Sequence, residues 1–215
     1  IPEFILEHIG DSYYWHIATY KGHEISIPLP VIVRSADGEW HLFSSSRFEH
    51  GHTSYKGFKI SHSEKYKGKI VETSAQGEEI RPLDLSITKN VFALMINSSI
   101  LVIIVLLCAR WYKNRKTTEA NPKGFVAAIE MFIMSIVDSV IKPCVGKNYK
   151  RYTPYLLTAF FFIFVNNLMG LVPIFPGGAN ITGNIAITFT LAMFTFVIVN
   201  IFGTREYWKE IFWPN

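Results

Sequence analysis

Charge is scarce in this chain, and it is unevenly distributed. Of its 215 residues, 18% are Asp, Glu, Lys or Arg, against about 25% in an average soluble protein. Residues 152–204 contain no Asp, Glu, Lys, Arg or His, and residues 90–109 are equally free of them. Such runs exclude intrinsic disorder, which goes with low hydrophobicity and high charge. The 14 glycines are far too few for collagen. Uncharged apolar runs of this length exclude a purely soluble globular fold as well. The composition describes a membrane protein with a soluble appendage.

Cysteine is also scarce. Cys108 and Cys144 are the two present, and neither belongs to a Cys-x-x-Cys pair, so no zinc or iron–sulfur framework is available. Both are expected at the cytoplasmic surface, where thiols stay reduced. Pro176-Gly177-Gly178 precedes an apolar stretch and lacks a lysine, so it is no phosphate loop, and direct ATP binding is not expected. No Ser/His/Asp or paired-carboxylate arrangement stands out. His50-Gly-His52 with His62 has the residue types of a transition-metal site. Closely spaced histidines on a loop more often face solvent, so neither a metal nor a cofactor is expected. The chain opens on Ile1-Pro2 without Met or signal sequence, which reads as a removed leader or a fragment.

The net charge of +4 hides two opposed halves. Residues 1–88 carry nine Lys/Arg, twelve Asp/Glu and all seven histidines, with Glu78, Glu79 and Asp84 as an outer rim of negative charge before the first apolar run. From Arg110 onward there are eleven Lys/Arg against five acids. Basic patches can serve nucleic acid. Here they flank apolar runs, which is how orientation is written into membrane proteins, so no nucleic acid partner is expected.

Residues 1–88 read as a small β-rich domain. Strands are expected at Tyr13 to Thr19, Glu24 to Val33, Glu39 to Phe43 and Lys69 to Thr73, with turns at Lys21-Gly22 and Asp37-Gly38. Pro28 and Pro30 cannot donate ladder hydrogen bonds, so their strand should be an edge or bulged. Fewer than about 90 residues make a marginal core, and this domain should lean on a partner or on the membrane.

Crossing about 30 Å of hydrocarbon takes roughly 20 apolar residues. Residues 89–111 supply one transmembrane helix. Residues 112–151 form a cytoplasmic segment, within which 123–142 gathers Phe125, Val126, Ile129, Phe132, Ile133, Ile136, Val137 and Val140 on one arc at 100° per residue. Lys123, Glu130, Ser135, Asp138 and Lys142 lie opposite. This pattern predicts an interfacial amphipathic helix in the headgroup plane, or a soluble amphipathic helix packed on another domain, ended by Pro143 and Gly146. Residues 152–204 predict a transmembrane hairpin, with spans at Tyr155 to Phe175 and Gly183 to Gly203. Residues 205–215 follow as a cytoplasmic end. The expected fold is therefore an α-helical membrane protein with three transmembrane helices, one interfacial helix and a β-rich extramembrane domain. Arg110, Lys113, Arg115, Lys116 and Lys123, then Lys147, Lys150 and Arg151, then Arg205 and Lys209 flank the spans. All three flanks are expected in the cytoplasm and the β domain outside.

The informative residues are polar and lie inside the spans. An unsatisfied amide there costs several kcal/mol, so Asn166 and Asn167 must pair with another helix or line a watery cavity. As helix–helix glue each bond would contribute roughly 0.6–2 kcal/mol. Asn180, Thr182, Asn184, Thr188 and Thr190 continue the polar theme, and Asn184, Thr188 and Thr195 fall on one face at i, i+4 and i+11. Two uncharged polar stripes point to a hydrated path.

Residues 166–173, Asn-Asn-Leu-Met-Gly-Leu-Val-Pro, resemble the Asn-Asn-x-Met-x-Leu-x-Pro signature of subunit a of the F-type ATP synthase. Residues 182–188, Thr-Gly-Asn-Ile-Ala-Ile-Thr, are similar to that family's Thr-Ala-Asp-Leu-Asn-Val-Thr segment. Tyr14-Trp15-His16-Ile17 with Ile25 to Val33 looks like the periplasmic extension of some bacterial members. The resemblance covers nearly the whole chain and is most specific from Pro154 to Thr190.

The resemblance implies a non-catalytic stator subunit in the bacterial inner (plasma) membrane. It would be held against the subunit c ring and accompanied by subunit b and lipid. It would provide half-channels that pass protons to and from a ring carboxylate. Asn166, Asn167, Asn184 and Thr188 would line or support the outer half-channel, with Asn180, Thr182 and Thr190 as weaker candidates. Gly170 and Asn184 stand where members carry Asp, and Ala186 where many carry Asn. A neutral amide positions water but exchanges no proton at ordinary pH, so the carboxylates of that path are expected elsewhere. The family's essential Arg is expected on a helix beyond Asn215, and Arg205, in a basic flank, is not that residue. Two other classes fit the composition. One is a membrane-anchored receptor or scaffold with a ligand-binding outer β domain. The other is a secondary transporter, whose repeated halves are not visible here.

Overall fold

The computed structural model describes residues 10–20, 23–74, 77–115, 122–172, 175–179 and 181–213. The expectations resting on Ile1-Pro2, Lys21-Gly22, Lys116, Pro173 and Asn180 fall outside these residues. The chain divides into two compact units: Ile1–Asn97 with Met169–Ala179, and Ser98–Leu168 with Asn180–Asn215.

The first unit is β-rich. Strands β1 (Tyr14–Tyr20) and β2 (His23–Pro28) form an antiparallel ribbon with a bulge between His16 and Ala18. β3 (Pro30–Arg34) and β4 (Trp40–Ser44) form a hairpin, and β8 (Leu83–Asp84) pairs with the other edge of β3. β5 (Phe58–Ile60), β6 (Ile70–Thr73) and β7 (Glu79–Ile80) make a third small sheet. The β3–β4 turn closes where the Ser35 N–H reaches the Glu39 carbonyl at 2.9 Å and the Gly38 N–H reaches Ser35 at 3.0 Å. Gly38 sits at φ +88°, the left-handed position that a three-residue hairpin loop assigns to glycine.

The strand expected over Glu24 to Val33 is two strands in two sheets. It breaks at Leu29 between the prolines, and the Leu29 N–H is taken by the Ser45 hydroxyl at 3.0 Å and the Tyr13 carbonyl at 3.2 Å. Alternation on β3 buries Val31 and Val33. With Tyr13, Phe48, Phe58 and Ile70 they form the core, flanked by Phe43 and Tyr55. Tyr13 ties this core together. Its hydroxyl donates to Asp84 at 2.5 Å and accepts the Ile70 N–H at 3.3 Å. Burial, reinforced by the Asp84 carboxylate, holds its phenol well above the usual tyrosine range.

Helix α1 (Lys89–Lys113) begins where the β region ends. The Lys89 N–H donates to the Ser12 carbonyl at 2.8 Å and the Asn90 N–H to the Asp11 carboxylate at 3.0 Å. These contacts satisfy donors that a helix start leaves without intrahelical partners.

In the second unit, α2 (Gly124–Ile136) runs into a π turn at Val137–Ile141 and a short α3 (Lys142–Val145). The amphipathic stretch therefore does not stop at Pro143. It stops at Gly146, at φ +71°. The Lys142 N–H bonds back to Val137, and the widened turn shifts the phase of the wheel. Val137 and Ile141 are buried, while Val140, placed on the apolar arc by a uniform 100° step, is exposed.

Helix α4 (Tyr149–Leu171) starts earlier than the expected Tyr155, because Pro154 is carried inside it. Proline there removes one N–H from the helical ladder, and the helix nevertheless continues on both sides of it. After the connection come α5 (Ile185–Phe202) and a short α6 (Arg205–Phe212), which the Thr204 hydroxyl caps by accepting the Tyr207 N–H at 3.2 Å. Three helical stretches among the described residues are long and apolar enough to cross a membrane: Lys89–Lys113, Gly124–Leu171 and Ile185–Phe202.

Candidate functional site: polar groups of the helical hairpin

The amides of α4 are first satisfied by their own helix. Asn166 is 2% exposed and its amide donates to the Phe162 carbonyl at 2.7 Å. The Asn167 amide donates to Ile163 at 2.8 Å. That leaves the Asn167 oxygen as an acceptor, and Thr182 fills it with its hydroxyl at 2.9 Å. This contact joins the end of α4 to the approach to α5.

Asn184 is the cap of α5 and not part of its wall. Its backbone is extended, and its side-chain oxygen accepts the Ala186 N–H at 3.0 Å. The preference of asparagine for this position comes from its short acceptor, which reaches a donor left open at a helix start. Thr188 is back-bonded to Ile185 at 3.2 Å and Asn184 at 3.3 Å, and Thr190 to Ala186 at 2.7 Å. Each hydroxyl commits its single proton to the helix and keeps acceptor capacity on an exposed side chain.

The structure thus brings Asn167 and Thr182 together, buries Asn166 one position earlier, and sets Asn184, Thr188 and Thr190 at the start of α5. Further along, the Tyr155 hydroxyl meets the Thr195 hydroxyl at 3.4 Å. The sequence does not single out Tyr155, since an aromatic residue near the end of a span reads first as an interface anchor. Arg151 places its guanidinium 5.2 Å from the Phe202 ring, so the basic start of α4 lies beside the end of α5. α2 packs on α4 through Phe132, whose ring lies 5.8, 5.5 and 5.3 Å from those of Phe160, Phe161 and Phe164. Among the described residues, no group of three or more His, Cys, Asp or Glu is arranged to hold a metal ion.

The amides of Asn166, Asn167 and Asn184 and the hydroxyls of Thr182, Thr188 and Thr190 carry no charge at ordinary pH; they can orient water and accept hydrogen bonds. Long apolar helices, a polar hairpin without charge and a small β-rich region define an α-helical membrane protein.

A family model described as "ATP synthase A chain" matches residues 94–215, more than half of the chain. The chain therefore belongs to the ATP synthase A chain family, whose members sit in the membrane sector and are not catalytic. A second model, described as "Domain of unknown function (DUF8433)", matches residues 4–86. "ATP synthase subunit a" of Chlorobium phaeobacteroides is 45% identical over 124 residues, which cover 58% of this chain and 35% of that protein. "ATP synthase subunit a 2" of Chlorobaculum tepidum is 42% identical over 120 residues, 56% of this chain and 33% of the relative. "ATP synthase subunit a" of Myxococcus xanthus is 38% identical over 136 residues, covering 60% and 43% respectively. The matched stretch thus amounts to about a third of the first curated relatives' length. No solved structure matches the chain.

Proposed function

We propose that this chain contributes the stator side of the proton path in a bacterial F-type ATP synthase. The observation that carries the reading is the uncharged hairpin of α4 and α5, whose polar residues, buried at Asn166 and open at Asn167, Thr188 and Thr190, are concentrated where the family resemblance is most specific. A charged carboxylate facing lipid is costly. A ring of subunit c therefore turns only where protons are delivered to it and removed from it. Asn166, Asn167, Asn184 and Thr188 hold water along the delivery side, with Thr182 and Thr190 supporting them. Each proton crossing 100 mV contributes about 2.3 kcal/mol, so several are needed for each ATP.

In this reading α1, α4 and α5 cross the inner membrane, while the α2–α3 stretch lies at its cytoplasmic surface. The basic residues Arg110, Lys113 and Arg115, Lys147 to Arg151, and Arg205 with Lys209 face the cytoplasm. The β-rich region is periplasmic. Subunit b and the ring are the protein partners, and nucleotide is bound elsewhere in the complex.

The test is a double substitution, Asn166→Leu with Asn167→Leu, in the assembled synthase. Proton-driven ATP synthesis in membrane vesicles should fall while the ring still co-purifies. Undiminished synthesis with an intact complex would overturn the reading.

A further inference from the structure

Residues 11–15 join three parts of the unit formed by Ile1–Asn97 and Met169–Ala179. Asp11 and Ser12 cap the first turn of α1 through the Asn90 and Lys89 N–H groups. Tyr13 is bonded through its carbonyl to Leu29 and through its hydroxyl to Asp84 and Ile70, which fixes the segment to the sheets. Trp15 is not part of that core cluster. It is 3% exposed, and its ring meets Phe92 of α1 edge-on at 5.8 Å and Phe175 at 5.1 Å.

Phe175 belongs to the connection between α4 and α5. That connection is tight: the Gly178 N–H reaches the Met169 carbonyl at 3.0 Å, and a Cβ on Gly177 would meet the Val172 carbonyl at 2.4 Å. The segment Met169–Ala179, which belongs to the same compact unit as the β sheets, begins two residues after Asn167 and ends three before Thr182. A tryptophan serving only the β core would pack among β3, β5 and β6. The ring partners of Trp15 are instead a membrane helix and the hairpin tip, and edge-to-face rings of this size hold a preferred geometry.

We propose that the β-rich region is a clamp on the α4–α5 connection, with Trp15 as its positioning residue, and that it thereby fixes the mouth of the proton path. The mouth rests on the proton-path reading above; the clamp stands on the contacts alone.

The experiment uses the full chain in the assembled synthase, with Cys108→Ser, Cys144→Ser and Ala179→Cys, probed by a membrane-impermeant maleimide. Ala179 is 3% exposed, so the thiol should be protected when Trp15 is present. In Trp15→Ala, labelling should accelerate about tenfold, the factor that about 1.4 kcal/mol of lost local packing produces. ATP synthesis should fall alongside, and Trp15→Phe should restore much of both. Unchanged labelling in Trp15→Ala would overturn the clamp. Faster labelling with full ATP synthesis would overturn its role at the mouth. Faster labelling in Trp15→Ala, combined with full synthesis in the Asn166→Leu/Asn167→Leu protein, would uphold the clamp and sink the proton-path reading. Where Trp15→Ala fails to accumulate, Phe175→Leu, which keeps Trp15 in place and removes the ring it meets, serves instead. Faster labelling of Ala179→Cys in that protein supports the proposal, and unchanged labelling overturns it.

Discussion

Thr182 donates its hydroxyl proton to the side-chain oxygen of Asn167 at 2.9 Å, closing the hairpin near its tip with a bond between two uncharged groups. The Asn167 amide is at the same time committed to Ile163. The asparagine is therefore oriented, with its oxygen toward the approach to α5 and its nitrogen toward its own helix. A double-mutant cycle with Asn167→Leu and Thr182→Val should give a coupling energy of about 0.6–2 kcal/mol, read from thermal unfolding in detergent. Strict additivity of the two substitutions would mean the bond contributes nothing.

Tyr13→Phe removes a hydroxyl that serves two partners. Asp84 keeps the Ser86 N–H at 2.9 Å, whereas the Ile70 N–H loses the acceptor it had in the core. Leaving a buried donor unsatisfied costs about 1–3 kcal/mol. Hydrogen exchange should show the β-rich region opening more readily by that amount, with Ile70 the most affected amide.

Glu79 links acidity to the stability of the third sheet. Hydrogen bonds from Ser61 at 2.7 Å, from Lys59 and from Ser63 at 2.8 Å hold its carboxyl down at about 2. Because its folded pKa is depressed, its stabilisation is present above the ordinary carboxylate value of about 4.3. It is lost as pH falls from there through about 2. Proteolysis of the β-rich region between pH 4.5 and 2 should accelerate with acidity in the parent chain, and Glu79→Gln should flatten that dependence.

Gly177→Ala tests the connection between α4 and α5. The added Cβ would sit 2.4 Å from the Val172 carbonyl and 2.8 Å from that of Met169, both backbone atoms that cannot step aside. Overpacking of this kind costs about 1–3 kcal/mol, and the variant should unfold at lower temperature. The same change at Gly57, where nothing lies within 4 Å, meets only the strain of its positive φ.

What the sequence makes legible is what depends on local pattern. The membrane helices are visible as stretches without charge, and Asp37-Gly38 announces a hairpin because few residues adopt the φ that Gly38 takes. Strands β7 and β8 are two residues each, too short for any alternation to register. The break at Leu29 depends on acceptors from Tyr13 and Ser45, both distant in sequence. The π turn at Val137–Ile141 has no compositional signal, and it moved the buried position from Val140 to Ile141. Within the hairpin, the need of Asn166 and Asn167 for partners follows from burial in an apolar span. The partner each takes, a carbonyl one turn back, follows only from the folded helix. Asn184 is a legible cap once the helix start is known, and a uniform wheel instead places it on the helix face with Thr188.

In the proposed function the hairpin's polar groups hold water for protons and do more than join helices. Thr182→Val and Asn167→Leu both break the same inter-element bond, and only the second removes the amide. Passive proton conduction through the assembled membrane sector, measured for the two variants side by side, separates the roles. Asn167→Leu should conduct several-fold less than Thr182→Val. Equal conduction by the two, at the parent rate, would contradict it.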